Sequence, residues 1–538
     1  MNSKTLEGPL AQWAGTLGLL ATALVAGSAW AEEARPVVGG DVAIALTTDI
    51  QGINPGVTRD GNTDAVINHV AEGLVAYKED GSVGLLGAKA LAVSDDGLSY
   101  SFTLRDGMTF HNGAPVTSAE VKWSWDRLLD EKTGWRCRSW FVPGGDVAIR
   151  SIETPDARTI VFNLVEPTAI FLPKMANHQC IGPILHPDSV GADGKFVTPI
   201  ATGPYKLAEW KRGEYVTLQR FDGYVANTEP KSGFAGNRTP YIDRLKFIVV
   251  PDAAVARAAL LAGDVQLSRE FTPNDVAELE ATDGLKVYSS DSFNWKLLLF
   301  NRKDGLFANV KLRQAIAEAI DIDEVAQIMS NGLAKGNPSA IPLLSNFHNS
   351  VQDERPAFDP AKAKAHAEAA GYKGETLKIM TNRRFQDDYD TALIVQEQLK
   401  RAGFKVELEV VEWATQDNAY YAGGYQMMVY SYSPRTEPYL SFELVSDTKR
   451  ETAKAHEIVS DAFTALLRQA ATTLDPAGRQ AAFDAMHRIL ITDLPGASLY
   501  NPAVVSASSD KLMGYSEFGV GHPRLWGAWL ANRPVTPK

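Results

Sequence analysis

Between Leu98 and Leu129, in "LSYSFTLRDGMTFHNGAPVTSAEVKWSWDRLL", the hydrophobic period changes from two to 3.6. Tyr100, Phe102 and Leu104 alternate, the pattern of a strand with one face inward. Asp106-Gly107 predicts a hairpin turn, Met108 to His111 the returning strand, and Asn112-Gly113 its end. Thr117 and Glu120 have the spacing of a capping box, in which hydroxyl and carboxylate each satisfy a free backbone N–H, so a helix through Leu129 follows. Strand and helix signals mix in this way along the whole chain, which sets the class as α/β. "DVAIALTTD" (41–49) reads as a strand with Val42, Ile44 and Leu46 on one face. Residues 201–224 read as strand, turn, strand around Arg212-Gly213. "NVKLRQAIAEAIDIDEVAQIM" reads as one amphipathic helix, with Leu312, Ala315, Ile316, Ala319 and Ile320 on one stripe. A helix capped at Gly403 leads into a strand with Val406, Leu408 and Val410 on one face. A late helix (476–495) stops at Pro495, and "GASLYNPAVVSAS" reads as a strand.

At 538 residues one hydrophobic core does not suffice, and length predicts two to four domains. There are no repeats. A net charge of −12 argues against nucleic acid, whose binding needs concentrated Lys and Arg. The first 31 residues differ from the rest: "LGLLATALVAGSAWA" is an apolar run ending in Ala29-Trp30-Ala31, the pattern of a secretory signal cut after Ala31. No cysteine precedes Cys137, so the cut end offers no site for a lipid anchor. The expected location is the periplasm, with the protein free of the membrane. Cys137 and Cys180 are the two cysteines, and an oxidising compartment favours a disulfide between them.

The motifs that carry chemistry are missing: there is no P-loop, no G-x-S-x-G, no H-E-x-x-H and no C-x-x-C. Nine histidines are scattered without metal-ligand spacing, and His111 beside an Asn-Gly turn reads as structural. Asp387-Asp388 and Asp95-Asp96 read as solvated pairs. No catalytic residue, metal or cofactor is expected. The stretch "YSYSPRTEPYL" (430–440) is different: it crowds three tyrosines, an arginine and a glutamate into a segment that two prolines keep irregular. That combination suits the lining of a cavity, where rings meet a few polar anchors.

"GLVAYKEDGSV", the 98–129 stretch, "ATGPYKLAEW" and "VKLRQAIAEAIDIDEV" together resemble the family 5 extracellular solute-binding proteins of ABC importers, the dipeptide, oligopeptide and nickel-binding group. The likeness runs through nearly all of residues 40–530. It implies a two-lobed periplasmic binding protein fold with the ligand between the lobes. Lobe I is then discontinuous (32–68, 200–290 and 500–538), an inserted domain II spans 69–199, and lobe III spans 291–499, with a hinge at crossings near 290 and 499. In peptide-binding members the 430–440 loop carries an aspartate that pairs with the ligand's α-amino group, a few residues before an Asp-Pro. Glu437-Pro438 matches the Asp-Pro, and the aspartate's place is taken by Pro434, next to Arg435. An arginine that holds a peptide carboxylate is matched by Arg383 or Arg384. The resemblance therefore implies that the anion anchor is kept and the amine anchor is lost.

The expected ligand-binding residues are Trp295, Arg383, Arg384, Trp413, Tyr430, Tyr432, Arg435 and Glu437. Trp295 opens lobe III near the hinge, and Trp413 follows a strand end, where α/β ligand sites gather. The expected function is a monomeric periplasmic receptor that hands a small polar, negatively charged solute (peptide-like, opine-like or acidic sugar-like) to ABC permease transmembrane subunits. Within that class the rival is a peptide receptor in which Glu437 or Asp388 replaces the missing aspartate. Outside it the rivals are a secreted hydrolase such as a glycosidase, and a metal or haem carrier, the latter disfavoured by the dispersed histidines.

Overall fold

Strand Trp295–Phe300 is buried along its whole length. Its run "WKLLLF" is the near-continuous apolar signature of a strand covered on both faces, broken by one charge at Lys296. It pairs antiparallel with Met427–Tyr432 on one side and Gly496–Tyr500 on the other. Thr376–Thr381 and Lys405–Val410 extend this five-stranded sheet with parallel pairing. Leu298 and Phe300 face Leu312, Ile316, Val325, Val395 and Leu399 of helices Val310–Glu318, Ile322–Ser330 and Gln386–Arg401. Leu297 and Leu299 share the opposite core with Phe463, Phe483 and Met486 of helices Asp461–Thr472 and Pro476–Asp493. The computed structural model describes residues 35–303, 305–446, 454–458 and 460–531, so the leader and its cut after Ala31 lie outside the described residues.

A seven-stranded sheet holds, in order, Leu285–Ser290, Val504–Ser509, Leu267–Phe271, Asp41–Leu46, Arg244–Val249, Tyr215–Arg220 and Tyr205–Lys211. Asp41–Leu46 is central, with Val42 and Ile44 fully buried, as the alternation predicts. The strands on either side of Arg212-Gly213 form as expected. A four-stranded sheet holds Ala88–Val93, Ser99–Leu104, Thr159–Leu164 and Ile149–Asp156, with helix Ser118–Leu129 against it. The disulfide Cys137–Cys180 joins the start of helix Arg138–Phe141 to the turn His178–Cys180. No helix among the described residues is long and apolar enough to cross a membrane.

Three local expectations need correction. Met108 to His111 does not return along Ser99–Leu104, because both edges of that strand are taken by Ala88–Val93 and Thr159–Leu164. The segment after Gly107 keeps only a single bridge, Thr109 to Pro115. The capping box beyond it does form, with Thr117 N–H donating to Glu120 Oε2 at 2.9 Å. The 309–329 segment is two helices rather than one: Asp321 caps the second by accepting from the N–H groups of Asp323 and Glu324, both at 3.1 Å. "GASLYNPAVVSAS" is two strands in different sheets, Gly496–Tyr500 and Val504–Ser509. Pro502 lies between them, where its missing N–H leaves no ladder bond unmade. Asn501 donates to Asn294 O at 2.6 Å, so it ties this passage between sheets to the other one, from Ser290 to Trp295.

Candidate functional site

Tyr430 and Tyr432 are two apart on strand Met427–Tyr432, so their rings leave the same face. Tyr430 stacks on Tyr420 with centroids 4.5 Å apart and on Trp413 at 6.1 Å. Trp413, the first residue of helix Trp413–Ala422, is half-buried and takes Phe385 edge-on at 5.0 Å. Tyr432 is buried; its hydroxyl meets that of Tyr420 at 2.9 Å, and its ring lies 5.4 Å from Trp295. Trp295 is also buried and donates its indole N–H to Ser498 Oγ at 3.1 Å. Arg383 and Arg384 are exposed beside this wall: Arg383 lies over Tyr389 at 4.0 Å and bonds its hydroxyl at 2.8 Å, and Arg384 lies over Phe385 at 5.6 Å.

The two carboxylates that the sequence offered for an ammonium, Glu437 and Asp388, each already have a cation. Glu437, buried, caps helix Pro438–Glu443 through Tyr439 N–H and pairs with Arg479 Nη2 at 2.6 Å. Asp387-Asp388 is not the solvated pair expected from the sequence. Asp388 is 1% exposed and bonds Lys296 Nζ, and it also accepts from Ser431 Oγ at 2.6 Å. Asp387 holds the same ammonium at 2.7 Å. A lysine in a strand buried on both faces requires counter-charge within reach. Burial pushes the Lys296 pKa down, but Asp388 and Asp387 outweigh it and hold it above the usual range. Asp95 and Asp96 are exposed, as expected, and Asp96 accepts from Ser94 in a turn.

Arg435 has the opposite situation. Its half-buried guanidinium bonds only neutral acceptors: Ser433 Oγ at 2.9 Å, Ser433 O at 3.0 Å, Pro434 O at 3.1 Å and Gln179 Oε1 at 3.4 Å. No carboxylate among the described residues lies within ion-pair distance of it. Burial and the nearby charge of Arg59 lower its pKa. Gln179 brings in the turn that carries His178, and the His178 ring lies 5.3 Å from that of His522. Neither ring nitrogen of His178 has a partner, nor has Nδ1 of His522, nor the buried hydroxyl of Thr58. Burial, with Arg59 and Arg435 adding to it, lowers the His178 pKa to about 3. Burial, then His178, Arg269 and Arg59, lowers His522 well below its usual value. Arg59 pairs with Asp64 at 2.7 Å, and Arg269 approaches Glu517 only to 3.8 Å. Gly521 takes φ +79° beside Arg269, where a Cβ would stand 3.0 Å from the guanidinium, so glycine keeps this wall open.

Sequence reasoning singled out Arg435 but not Arg59, Arg269, His178 or His522. These come from the loop before helix Gly61–Val70, from strand Leu267–Phe271, from the disulfide-bearing turn and from the C-terminal segment, and no local pattern joins them. No group of three or more metal-ligating side chains occurs among the described residues. Guanidinium and imidazole N–H groups of this kind are hydrogen-bond donors suited to an anion.

Residues 82–450 match the family described as bacterial extracellular solute-binding proteins, family 5. The oligopeptide-binding protein AppA of Bacillus subtilis is 26% identical over 406 residues, 71% of this chain and 70% of that protein. The glutathione-binding protein GsiB of Pectobacterium atrosepticum is 26% identical over 404 residues, 74% of this chain and 73% of that protein. Among solved structures, the periplasmic binding protein DppA of Helicobacter pylori in complex with the peptide STSA superposes with a TM-score of 0.74 at 24% identity, covering 92% of this chain and 98% of that one. The fold is that of the two-lobed periplasmic binding proteins.

Proposed function

We propose that this chain, which belongs to the bacterial extracellular solute-binding proteins of family 5, captures a small peptide-like solute carrying an anionic group and delivers it to permease subunits. It is a substrate-binding protein of the ABC-importer class and a binder rather than an enzyme. The solute is the proposed part. Relatives named for oligopeptides and glutathione support a peptide-like body. The observation that carries the anionic group is the Arg435 guanidinium, held among neutral acceptors in the loop that leaves the five-stranded sheet. A half-buried cation without counter-charge is stabilised when a ligand supplies one.

In this reading the lobes have the boundaries drawn from the resemblance, with the two passages between sheets as hinge. Arg383, Arg384, Trp413, Tyr430 and Arg435 face the ligand, while the buried Trp295, Tyr432 and Glu437 support that wall. The mature protein is a periplasmic monomer cut after Ala31. The in-class rival loses support, because Glu437 and Asp388 already hold Arg479 and Lys296.

Mass spectrometry of small molecules released from the natively purified protein, followed by titration with each while tryptophan emission is recorded, tests this. Saturable binding of an anionic solute, recovered unchanged after long incubation, is the expected result. Steady loss of the solute in proportion to protein concentration would favour the hydrolase instead.

A further inference from the structure

The Arg435 loop, the His178–Cys180 turn, the loop before helix Gly61–Val70 and the segment around His522 come together at one place, the recess of the proposal below. Arg59, Arg269 and Arg435 bring three guanidinium groups to it: Arg59 pairs with Asp64, Arg269 lies 3.8 Å from Glu517, and Arg435, with Glu443 further off, has no ion pair among the described residues. The unpartnered atoms on hand include the two ring nitrogens of His178 and Nδ1 of His522, on side chains that are 6% and 8% exposed. An imidazole presents one N–H in its neutral form, so each ring can donate to an oxyanion. An orphaned polar atom at such burial is destabilising unless a ligand satisfies it. An ammonium entering here would meet three guanidinium groups.

We infer that the solute presents to this recess a head group that only accepts hydrogen bonds, an oxyanion with no ammonium beside it, held by Arg435 and Arg59 and by N–H groups of His178 and His522. The inference rests on the receptor reading above and narrows its substrate class to solutes whose amine is absent or blocked by an acidic group. Arg435 is suited to the role because its planar fork meets two oxygens at once. Pro434 contributes by what it lacks: a carboxylate at that position would neutralise Arg435 and repel the head group.

Three probes decide it: trialanine with a free amine, N-acetyl-trialanine and N-succinyl-trialanine, each titrated into wild-type protein and into Pro434→Asp, Arg435→Gln and His178→Phe. The expected order for wild type is succinyl, then acetyl, then free amine, with at least tenfold between the ends. Arg435→Gln and His178→Phe should each weaken the succinyl probe tenfold or more. Pro434→Asp should reverse the order, a change in preference that misfolding cannot imitate. Equal or tighter binding of free trialanine by wild type overturns the inference and leaves the receptor reading standing. If no probe binds and no small molecule accompanies the natively purified protein, both fall together.

Discussion

Arg435 and Glu437 stand two residues apart on one loop, yet only the carboxylate has an opposite charge to meet. Removing a partner from each should therefore move different quantities. Arg479→Met leaves Glu437 buried and unpaired, and breaking a buried pair in this way costs about 3–5 kcal/mol of stability. Arg435→Ala removes a half-buried cation whose partners are all neutral, so without ligand the unfolding midpoint should stay level or rise. Its effect should fall on binding instead, weakening the proposed anionic solute by about 2–5 kcal/mol. Lysine at 435 should recover part of that loss, since it keeps the charge and loses the fork. Urea unfolding of the ligand-free variants, alongside calorimetric titration with the natively bound solute, separates the two roles. An Arg435→Ala variant that binds like wild type but unfolds earlier would make the arginine structural.

At the scale of elements, the same accounting of charge applies where helix Gln386–Arg401 begins. Its first turn carries Asp387 and Asp388, which reach Lys296 on strand Trp295–Phe300 across the sheet. Lys296→Met should cost about 3–5 kcal/mol, and adding Asp388→Leu should return part of it, because the double change removes the orphaned carboxylate as well. Urea midpoints for the single and double variants check this; equal losses in both would mean that packing, not charge, decides the site. Elements of this kind were readable only in part. Period-two alternation located Asp41–Leu46 and Ser99–Leu104, the Arg212-Gly213 turn located the pair around it, and the Thr117–Glu120 box located a helix start, because those signals are local. The return of Met108 to His111 was misread because a strand's partners are chosen by the sheet and not by the nearest turn. The break at Asp321 was hidden because apolar spacing continued across it while the capping side chain changed the backbone path. The aromatic wall at Tyr430 and Tyr432 was visible as composition, whereas the Arg59, His178 and His522 recess is assembled from segments distant in sequence and left no pattern to read.

For the whole molecule, buried histidines couple that assembly to pH. His69 joins helix Gly61–Val70 to the seven-stranded sheet and the C-terminal segment: Nδ1 donates to Ala65 O at 2.8 Å, Nε2 accepts from Leu525 N–H at 3.1 Å, and the ring packs 4.9 Å from Trp526 and 5.7 Å from Phe247. Both nitrogens are occupied in the neutral form, and a second proton would face the Leu525 N–H. Burial, with the charge of Arg238 adding to it against the Ala65 bond, lowers the His69 pKa to about 3. His111 is bonded in the same manner, to Gly203 O at 3.1 Å and Ala201 N–H at 3.3 Å, and burial lowers it to about 4. With His178 also at about 3, the unfolded chain binds protons near pH 6.5 that the folded chain refuses. Stability from these groups is therefore complete above pH 6.5 and lost as pH falls toward 4, with a limiting slope of about 1.4 kcal/mol per pH unit for each histidine. Asp64 acts in the other direction: burial raises it to about 6 despite Arg59, so the folded state takes up that proton first and regains some stability between pH 6 and 4. With His522 lowered in the same direction, the buried histidines outnumber this carboxyl and leave a net loss in acid. Urea unfolding at pH 7, 6 and 5 should show it, and His69→Gln should start less stable at pH 7 yet lose stability more gently, by about one proton's slope. Parallel pH profiles for the variant and the wild type would show that His69 is protonated equally in both states and carries none of the acid sensitivity.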